Sequence, residues 1–178
     1  MATSAIAQNA GASFDSYLQI DGLPGESLND KHKDWIELVS YSHKMTQPVS
    51  NTRSSAGGAS SGRSQHGDFV VVKYVDKSSP KLYEAVSNGK AFSKAKIEVC
   101  RAGGSQVKFM EISLEEVIIS HVELNPIGHA SANGDVLPTE TVHLNYGKIE
   151  WVYTQQKRKD GSGGGNVTGK YDLTAGKS

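Results

Sequence analysis

The sequence predicts a mainly β protein of one domain, a β-barrel or β-sandwich with one short helix packed against it. Most apolar residues alternate with polar residues in several separate runs, which is the period of a half-buried strand. Only one segment has helical spacing. The chain of 178 residues is long enough for one hydrophobic core and too short for two of ordinary size.

Predicted strands follow one another along most of the chain. In "FDSYLQI" (14–20), Phe14, Leu18 and Ile20 share one face. "DFVVVKYV" (68–75) is apolar on both faces, which indicates a central or doubly covered strand. The other predicted strands are "DWIELVSYSHKM" (34–45), the alternating run at 94–99, "QVKFMEISL" (106–114), "EVIISHVEL" (116–124), "TVHLNYGKIEWVYTQQ" (141–156) and the alternating run at 167–173.

The segment "SSPKLYEAVSNGK" is the predicted helix. Ser79 suits the N-cap, Pro80 suits the first helical position, and Gly89 suits the C-terminal stop. A one-sided apolar stripe lies between them, formed by Leu82, Ala85 and Val86. A helix of about two turns is not stable alone, so it must pack on a sheet.

The last long strand changes phase at Gly147. Apolar residues occupy even positions before this glycine, such as Val142 and Leu144, and odd positions after it, such as Ile149 and Trp151. A β-bulge at Gly147 would keep both halves facing the core, so the sequence predicts one there.

Composition argues against several classes of function. The 19 basic residues equal the 19 acidic ones, so the chain has no general attraction for nucleic acid, and no segment approaches the roughly 18 apolar residues of a membrane helix. The N-terminus lacks the basic and apolar regions of a secretory signal. We expect synthesis in the cytoplasm, and any export to use no cleaved signal. The single cysteine, Cys100, cannot form an internal disulfide.

The stretch "SNTRSSAGGASSGRSQHG" (50–67) raises the question of catalysis. Gly58 to Gly62 match the G-x-S-x-G pattern with Ser60 as the nucleophile, but that motif requires a buried strand before the serine and a helix after it. Here both flanks are polar. A serine hydrolase using Ser60 is therefore the weaker alternative, and loss of an esterase activity in Ser60→Ala would support it.

A loop of roughly 20 residues without an element of its own exceeds the usual length of about 4–6 residues in compact domains. It is either a solvated loop or an arm ordered against a second subunit. We favour the arm, because the flanking strands are apolar on both faces and one small helix cannot cover them.

The remaining candidates predict neither a metal site nor a cofactor. The six histidines lack the H-x-x-x-H spacing of metal ligands and are interpreted as surface or turn residues. Glu115 and Glu116 are neighbours and should point to opposite sides of a strand. Cys100 is interpreted as a small packed side chain rather than a nucleophile. No catalytic residue is assigned.

Three blocks of sequence closely resemble a known family. "SYLQIDGLPGESLNDKHKDWIELVSYSHKM", "SPKL" at the start of the helix and "NYGKIEWVYTQ" near the end are similar to haemolysin-coregulated protein, Hcp, the tube protein of bacterial type VI secretion. The resemblance runs from about Ser16 to Leu173. It implies a single-domain β-barrel of two sheets with one short α-helix at the side, over residues 14–178, and no enzymatic activity.

The resemblance also implies partners and a location. Family members form hexameric rings that stack into a hollow tube, with a contractile sheath, a spike protein and carried effectors as partners. The tube assembles in the bacterial cytoplasm and is then secreted. The long loop, about 46–67, would be an assembly arm, and the expected subunit-interface residues are Arg53, Ser54, Ser55, Gly57, Gly58, Arg63 and His66.

Two features depart from the family pattern. Residues 1–13 form an Ala/Ser-rich extension that we expect to be flexible. The chain ends just past its last strand, so we expect any toxin to be a separate protein.

Overall fold

Six strands close into a barrel that carries one short helix at its side. The computed structural model describes residues 14–49, 63–102, 106–130, 134, 136–156 and 163–177. The predicted extension, 1–13, lies outside these residues. The elements of the described part are β1 (Phe14–Ile20), β2 (Ile36–Ser42), β3 (Met45–Thr46), β4 (Gln65–His66), β5 (Phe69–Tyr74), α1 (Ser79–Asn88), β6 (Ala91–Arg101), β7 (Lys108–Ala130), β8 (Val136–Asn145), β9 (Lys148–Gln156) and β10 (Gly163–Asp172).

The barrel closes because β7 pairs with two strands along the same edge. The sheet order is β10-β9-β7-β6-β1-β2-β5-β8, and β8 returns to pair with β7. The first part of β7 pairs with β9 and the rest with β8. All pairings are antiparallel, and β9 and β10 extend the sheet beyond the closed barrel. The predicted β-barrel with a helix at its side is confirmed.

The core lies inside the barrel and under the helix. β5 lies between β2 and β8, as its two apolar faces predict, and its side chains alternate between buried and half-buried. Phe14, Leu18 and Ile20 lie in β1 as the alternation predicts; Leu18 and Ile20 are buried, whereas Phe14, at the end of the strand, remains 42% exposed. The largest fully buried apolar side chains are Leu18, Ile36, Phe69, Leu82, Ile97, Leu114, Ile119 and Leu144.

The helix forms where the sequence predicts it, with its start displaced by one residue. Ser78 is the N-cap and Ser79 the first helical residue, while Gly89 ends the helix at φ 67° in the left-handed region that glycine favours. Leu82 and Ala85 are buried, and the helix packs against β7.

A buried ion-pair network joins the helix to the barrel. Lys73 and Glu140 are cross-strand neighbours, both 0% exposed, and Lys73 Nζ lies 2.8 Å from Glu140 Oε1 and 2.8 Å from Asp76 Oδ1. From the helix, Ser79 donates a 2.8 Å hydrogen bond to Glu140 Oε1, and the hydroxyl of Tyr83 donates a 2.6 Å bond to Glu140 Oε2. Burial and the contact with this carboxylate raise the pKa of Tyr83 to about 12.

At Gly147 the strand is interrupted without an inserted residue. Asn145 pairs with Ile118 and Lys148 pairs with Glu115, so two residues on each strand separate these pairs and no bulge lies between them. The predicted bulge is therefore wrong, although the interruption is real. The register holds because neighbouring strands change face at the same level. In each, two buried residues are three positions apart, an odd spacing that places them on opposite faces of a regular strand: Phe92 and Ala95, Leu114 and Val117, and Tyr146 and Ile149.

Glu116 and Gly147 meet at this change of face. Glu116 has a φ of 57°, and a Cβ added at Gly147 would lie 2.3 Å from Glu116 Oε2 and 3.1 Å from its Cβ. Glycine is needed here for close approach rather than for a bulge. The irregular backbone also corrects the expectation for the two acids, because Glu115 and Glu116 both lie within 4.0 Å of Lys148 Nζ instead of pointing apart.

Candidate assembly surface

A short two-stranded ladder forms the base of the long loop. Met45 pairs with His66 and Thr46 with Gln65, and the amide of Gly67 donates a 2.9 Å hydrogen bond to the carbonyl of Lys44. The expectation of a loop without an element of its own is therefore wrong at both ends. The ladder brings the two ends of the loop together on the barrel, so the intervening residues leave from one place.

Two histidines at this base share one tyrosine. His43 Nε2 lies 2.7 Å and His66 Nδ1 lies 3.0 Å from the hydroxyl of Tyr146, which is 6% exposed. A hydroxyl has one proton, so it donates to one imidazole and accepts from the other. Burial lowers the pKa of both histidines, with His66 contributing to the effect on His43. Burial also raises the pKa of Tyr146.

The returning end of the loop lies across β9 and β10. The ring of His66 stacks on Tyr171 at 5.0 Å between centroids and lies 6.5 Å from the ring centroid of Trp151. The guanidinium of Arg63 donates to the carbonyl of Leu173. These contacts fix the base of the loop on its own chain, and they define the loop base as Met45, Arg63, His66, Tyr146, Trp151 and Tyr171.

The predicted interface residues are only partly within the described chain. Arg63 and His66 lie in the loop base, where their contacts are to their own chain. The other interface candidates, Arg53, Ser54, Ser55, Gly57 and Gly58, lie outside the described residues. Ser60, the nucleophile of the alternative hypothesis, lies outside them too. The role of the interface candidates stays a prediction.

Sequence reasoning missed the part played by His43 and Tyr146. Tyr146 is readable as a core residue from its alternation, but nothing in the sequence indicates that its hydroxyl lies between two imidazoles. His32 was interpreted as a surface or turn residue; it lies in the turn between β1 and β2 but is only 2% exposed, and its ring stacks on Tyr17 at 4.1 Å. Cys100 is buried and free, as expected, and burial raises the pKa of its thiol.

Apolar side chains are exposed in pairs on the outer strands. Tyr153 and Val167 are cross-strand partners, 46% and 68% exposed. Val136 and Leu137, at the end of the β7–β8 hairpin, are 71% and 42% exposed, and Leu124 of the same hairpin is 58% exposed. Exposed apolar side chains such as these are available for contact with another protein. We call these five residues the outer apolar groups.

The described helix, α1, has ten residues and is too short to cross a bilayer. A closed six-strand barrel with one lateral helix and apolar groups on its outer strands places the chain among small β-barrel proteins whose surface is suited to protein contacts. The chain belongs to the Hcp family of type VI secretion, because the family model described as "Type VI secretion system effector, Hcp" matches residues 17–153. This is a family of type VI tube proteins rather than of enzymes.

Relatives from sequence and structure agree with this assignment. The chain is 34% identical over 154 residues to "Protein hcp1" of Pseudomonas aeruginosa, covering 86% of this chain and 91% of that protein. It is 28% identical over 134 residues to the "Major exported protein" of the same organism, covering 72% and 74%. A solved structure described as a type six secretion system protein superposes with a TM-score of 0.81 at 27% identity, covering 92% of this chain and 98% of that one.

Proposed function

We propose that this protein is the structural subunit of a type VI secretion tube. Six copies form a ring, rings stack into a hollow tube, and the tube carries or chaperones secreted effectors. The sheath and the spike protein are its other partners. The tube assembles in the bacterial cytoplasm and leaves the cell without removal of a signal peptide, and the name of one relative, a major exported protein, supports export.

The observation that carries the proposal is membership of the Hcp family, with the match over residues 17–153, and the outer apolar groups support it. In a monomer the exposed side chain of Val167 stays in water. Burying such apolar surface is favourable by about 25 cal/mol per Å². The outer apolar groups lie on β7, β8, β9 and β10, away from the barrel interior, so a neighbouring chain that packs against these strands would bury them. A closed ring covers such surfaces on every subunit in the same way.

The long loop is proposed to act as the assembly arm. Its base is fixed by β3, β4 and the contact from Arg63 to Leu173, so the residues between are directed from a firm anchor. The segment 53–62 contains Gly, Ser and Ala with one arginine, and it would bury little apolar surface in its own subunit. In the ring, its backbone amides and Arg53 would bond a neighbouring subunit.

Replacing residues 53–62 tests the arm. A short Gly-Ser link that keeps Arg63 should leave the barrel folded by circular dichroism, because halving a loop changes closure free energy by only about 0.6 kcal/mol. The same variant should sediment as smaller species than the native protein. A Gly-Ser segment of native length is the matched control, which separates loss of length from loss of the native side chains.

Two results would contradict the arm. If the short-link variant assembles and stacks like the native protein, the loop is merely solvated. If that variant fails to fold, the loop belongs to the core of its own subunit.

A further inference from the structure

Three metal-binding side chains of different types converge beside β6. His32 comes from the connection between β1 and β2, while Glu98 and Cys100 lie two residues apart on β6 and so share a face. His32 Nε2 lies 2.9 Å from Glu98 Oε2 and 3.9 Å from Cys100 Sγ, and all three ligand atoms lie within 4.8 Å of one another. His32 and Cys100 are buried, and Glu98 is 14% exposed, which provides the route in from solvent.

Other residues already occupy the atoms that face away from the cluster. Asn29 donates its amide Nδ2 to Gln106 Oε1 at 2.6 Å, which leaves Asn29 Oδ1 as an acceptor 3.2 Å from His32 Nδ1. Nδ1 therefore carries a proton, and Nε2 is the nitrogen directed at the cluster. Lys108 Nζ lies 3.1 Å from Glu98 Oε1, so Oε2 is the oxygen directed inward. Outer partners of this kind orient the histidine and carboxylate ligands of protein metal sites.

The distances suit a small divalent ion. Tetrahedral zinc, with bonds of about 2.0–2.3 Å, holds nitrogen, oxygen and sulfur ligands about 3.3–3.6 Å apart. The observed 2.9 and 3.9 Å lie on either side of this range, and Glu98 Oε2 and Cys100 Sγ, at most 4.8 Å apart, would have to approach by up to about 1 Å to complete three of the four positions. A plain ion pair between His32 and Glu98 is the competing explanation of the cluster. It accounts for the positions of these two side chains but not for the Cys100 thiol beside His32 Nε2.

We propose that His32 Nε2, Glu98 Oε2 and Cys100 Sγ bind a divalent cation of the zinc class, with water as the fourth ligand. Imidazole, carboxylate and thiolate together are a ligand set for zinc rather than for calcium or magnesium. Binding forms three coordinate bonds to the chain and one to water. It releases to solvent the thiol proton and the proton held between His32 Nε2 and Glu98 Oε2 in the metal-free chain, with no change of oxidation state. The ion would fasten the β1–β2 connection to β6, and the proposal is independent of tube formation.

Cobalt(II) titration of the full chain, freed of metal, tests the site. Cobalt replaces zinc in such sites and absorbs in the near ultraviolet when a thiolate binds it. We expect this absorption to saturate at one ion per chain, to disappear on adding zinc and to be absent in Cys100→Ser. Glu98→Gln should weaken zinc binding by at least about tenfold, measured against a chromophoric chelator.

The matched control is His143→Gln. His121, which is exposed, and His143, which is half-buried, form a ring pair with 4.8 Å between centroids and are the competing histidine site. This control should bind like the native chain. Circular dichroism decides whether Cys100→Ser folds, and if it does not, Glu98→Gln decides the matter. No thiolate absorption in the native chain, unchanged affinity in Glu98→Gln, or loss of binding in His143→Gln would overturn the proposal.

Discussion

Replacing Lys73 with Met removes the cation from the buried network that joins α1 to the barrel. Glu140, which is 0% exposed, would keep only the hydroxyl donors of Ser79 and Tyr83. Removing one partner of a buried ion pair typically costs about 3–5 kcal/mol, because the other charge stays away from water without a counterion. Since domains have about 5–15 kcal/mol in all, we expect Lys73→Met to lose a large part of the stability.

Guanidinium unfolding followed by circular dichroism measures this loss. Protein concentration is held constant, because assembly stabilises the folded chain by mass action. The double variant Lys73→Met/Glu140→Leu removes both charges and should recover at least about 2 kcal/mol of the single loss. Lys81→Met is the matched control: its pair with Glu84 is 72% and 57% exposed, so it should change stability by less than about 1 kcal/mol.

The reasoning is refuted if Lys73→Met unfolds at the same guanidinium concentration as Lys81→Met. It is equally refuted if the double variant is less stable than Lys73→Met alone. Either result would mean that the network contributes no more than a surface ion pair.

Two further predictions concern the change of face and the loop base. Gly147→Ala should lower the free energy of unfolding in guanidinium by about 1–3 kcal/mol, because the added Cβ would meet Glu116. Gly165→Ala is the control and should lose less, because the space around Gly165 is open. Equal losses in the two variants would contradict this. The pKa of His43 and that of His66 are lower in the folded chain than in the unfolded chain, where a histidine has a pKa of about 6.5. Just below pH 6.5 these histidines therefore bind more protons in the unfolded chain than in the folded chain. Their contribution is complete above about pH 6.5 and is lost as pH falls toward the lowered pKa, so the unfolding midpoint of the native chain should fall more than that of the variant with glutamine at both positions. Parallel pH profiles would contradict this.

Local pattern predicts most of the fold here. Alternation of apolar residues locates β1 and β6, and a continuous apolar run locates β5. The Pro80 and Gly89 signals bound the helix to within one residue. Pattern failed where neighbouring strands act together. The phase change at Gly147 is visible in its own strand and suggested a bulge. Matching changes in β6 and β7 preserve the register without one, and the sequence of one strand does not show how its neighbours pair with it.

The candidate surface was less accessible from sequence. The loop was found by its composition and length, and the family by its motifs. By contrast, the partners of Tyr146 are residues 43 and 66, which come from opposite ends of the loop, and Glu98 and Cys100, which meet His32 Nε2, are about 70 positions away on β6. Chemistry that depends on such distant contacts leaves no local spacing signal, so the histidine pattern alone indicated only surface residues.

Multi-angle light scattering on the purified full chain tests the central claim of ring formation most directly. At micromolar concentration the account predicts a mass six times the 19.1 kDa of one chain, or multiples of that ring mass where rings stack. A mass that stays at 19.1 kDa across the same concentrations would contradict it.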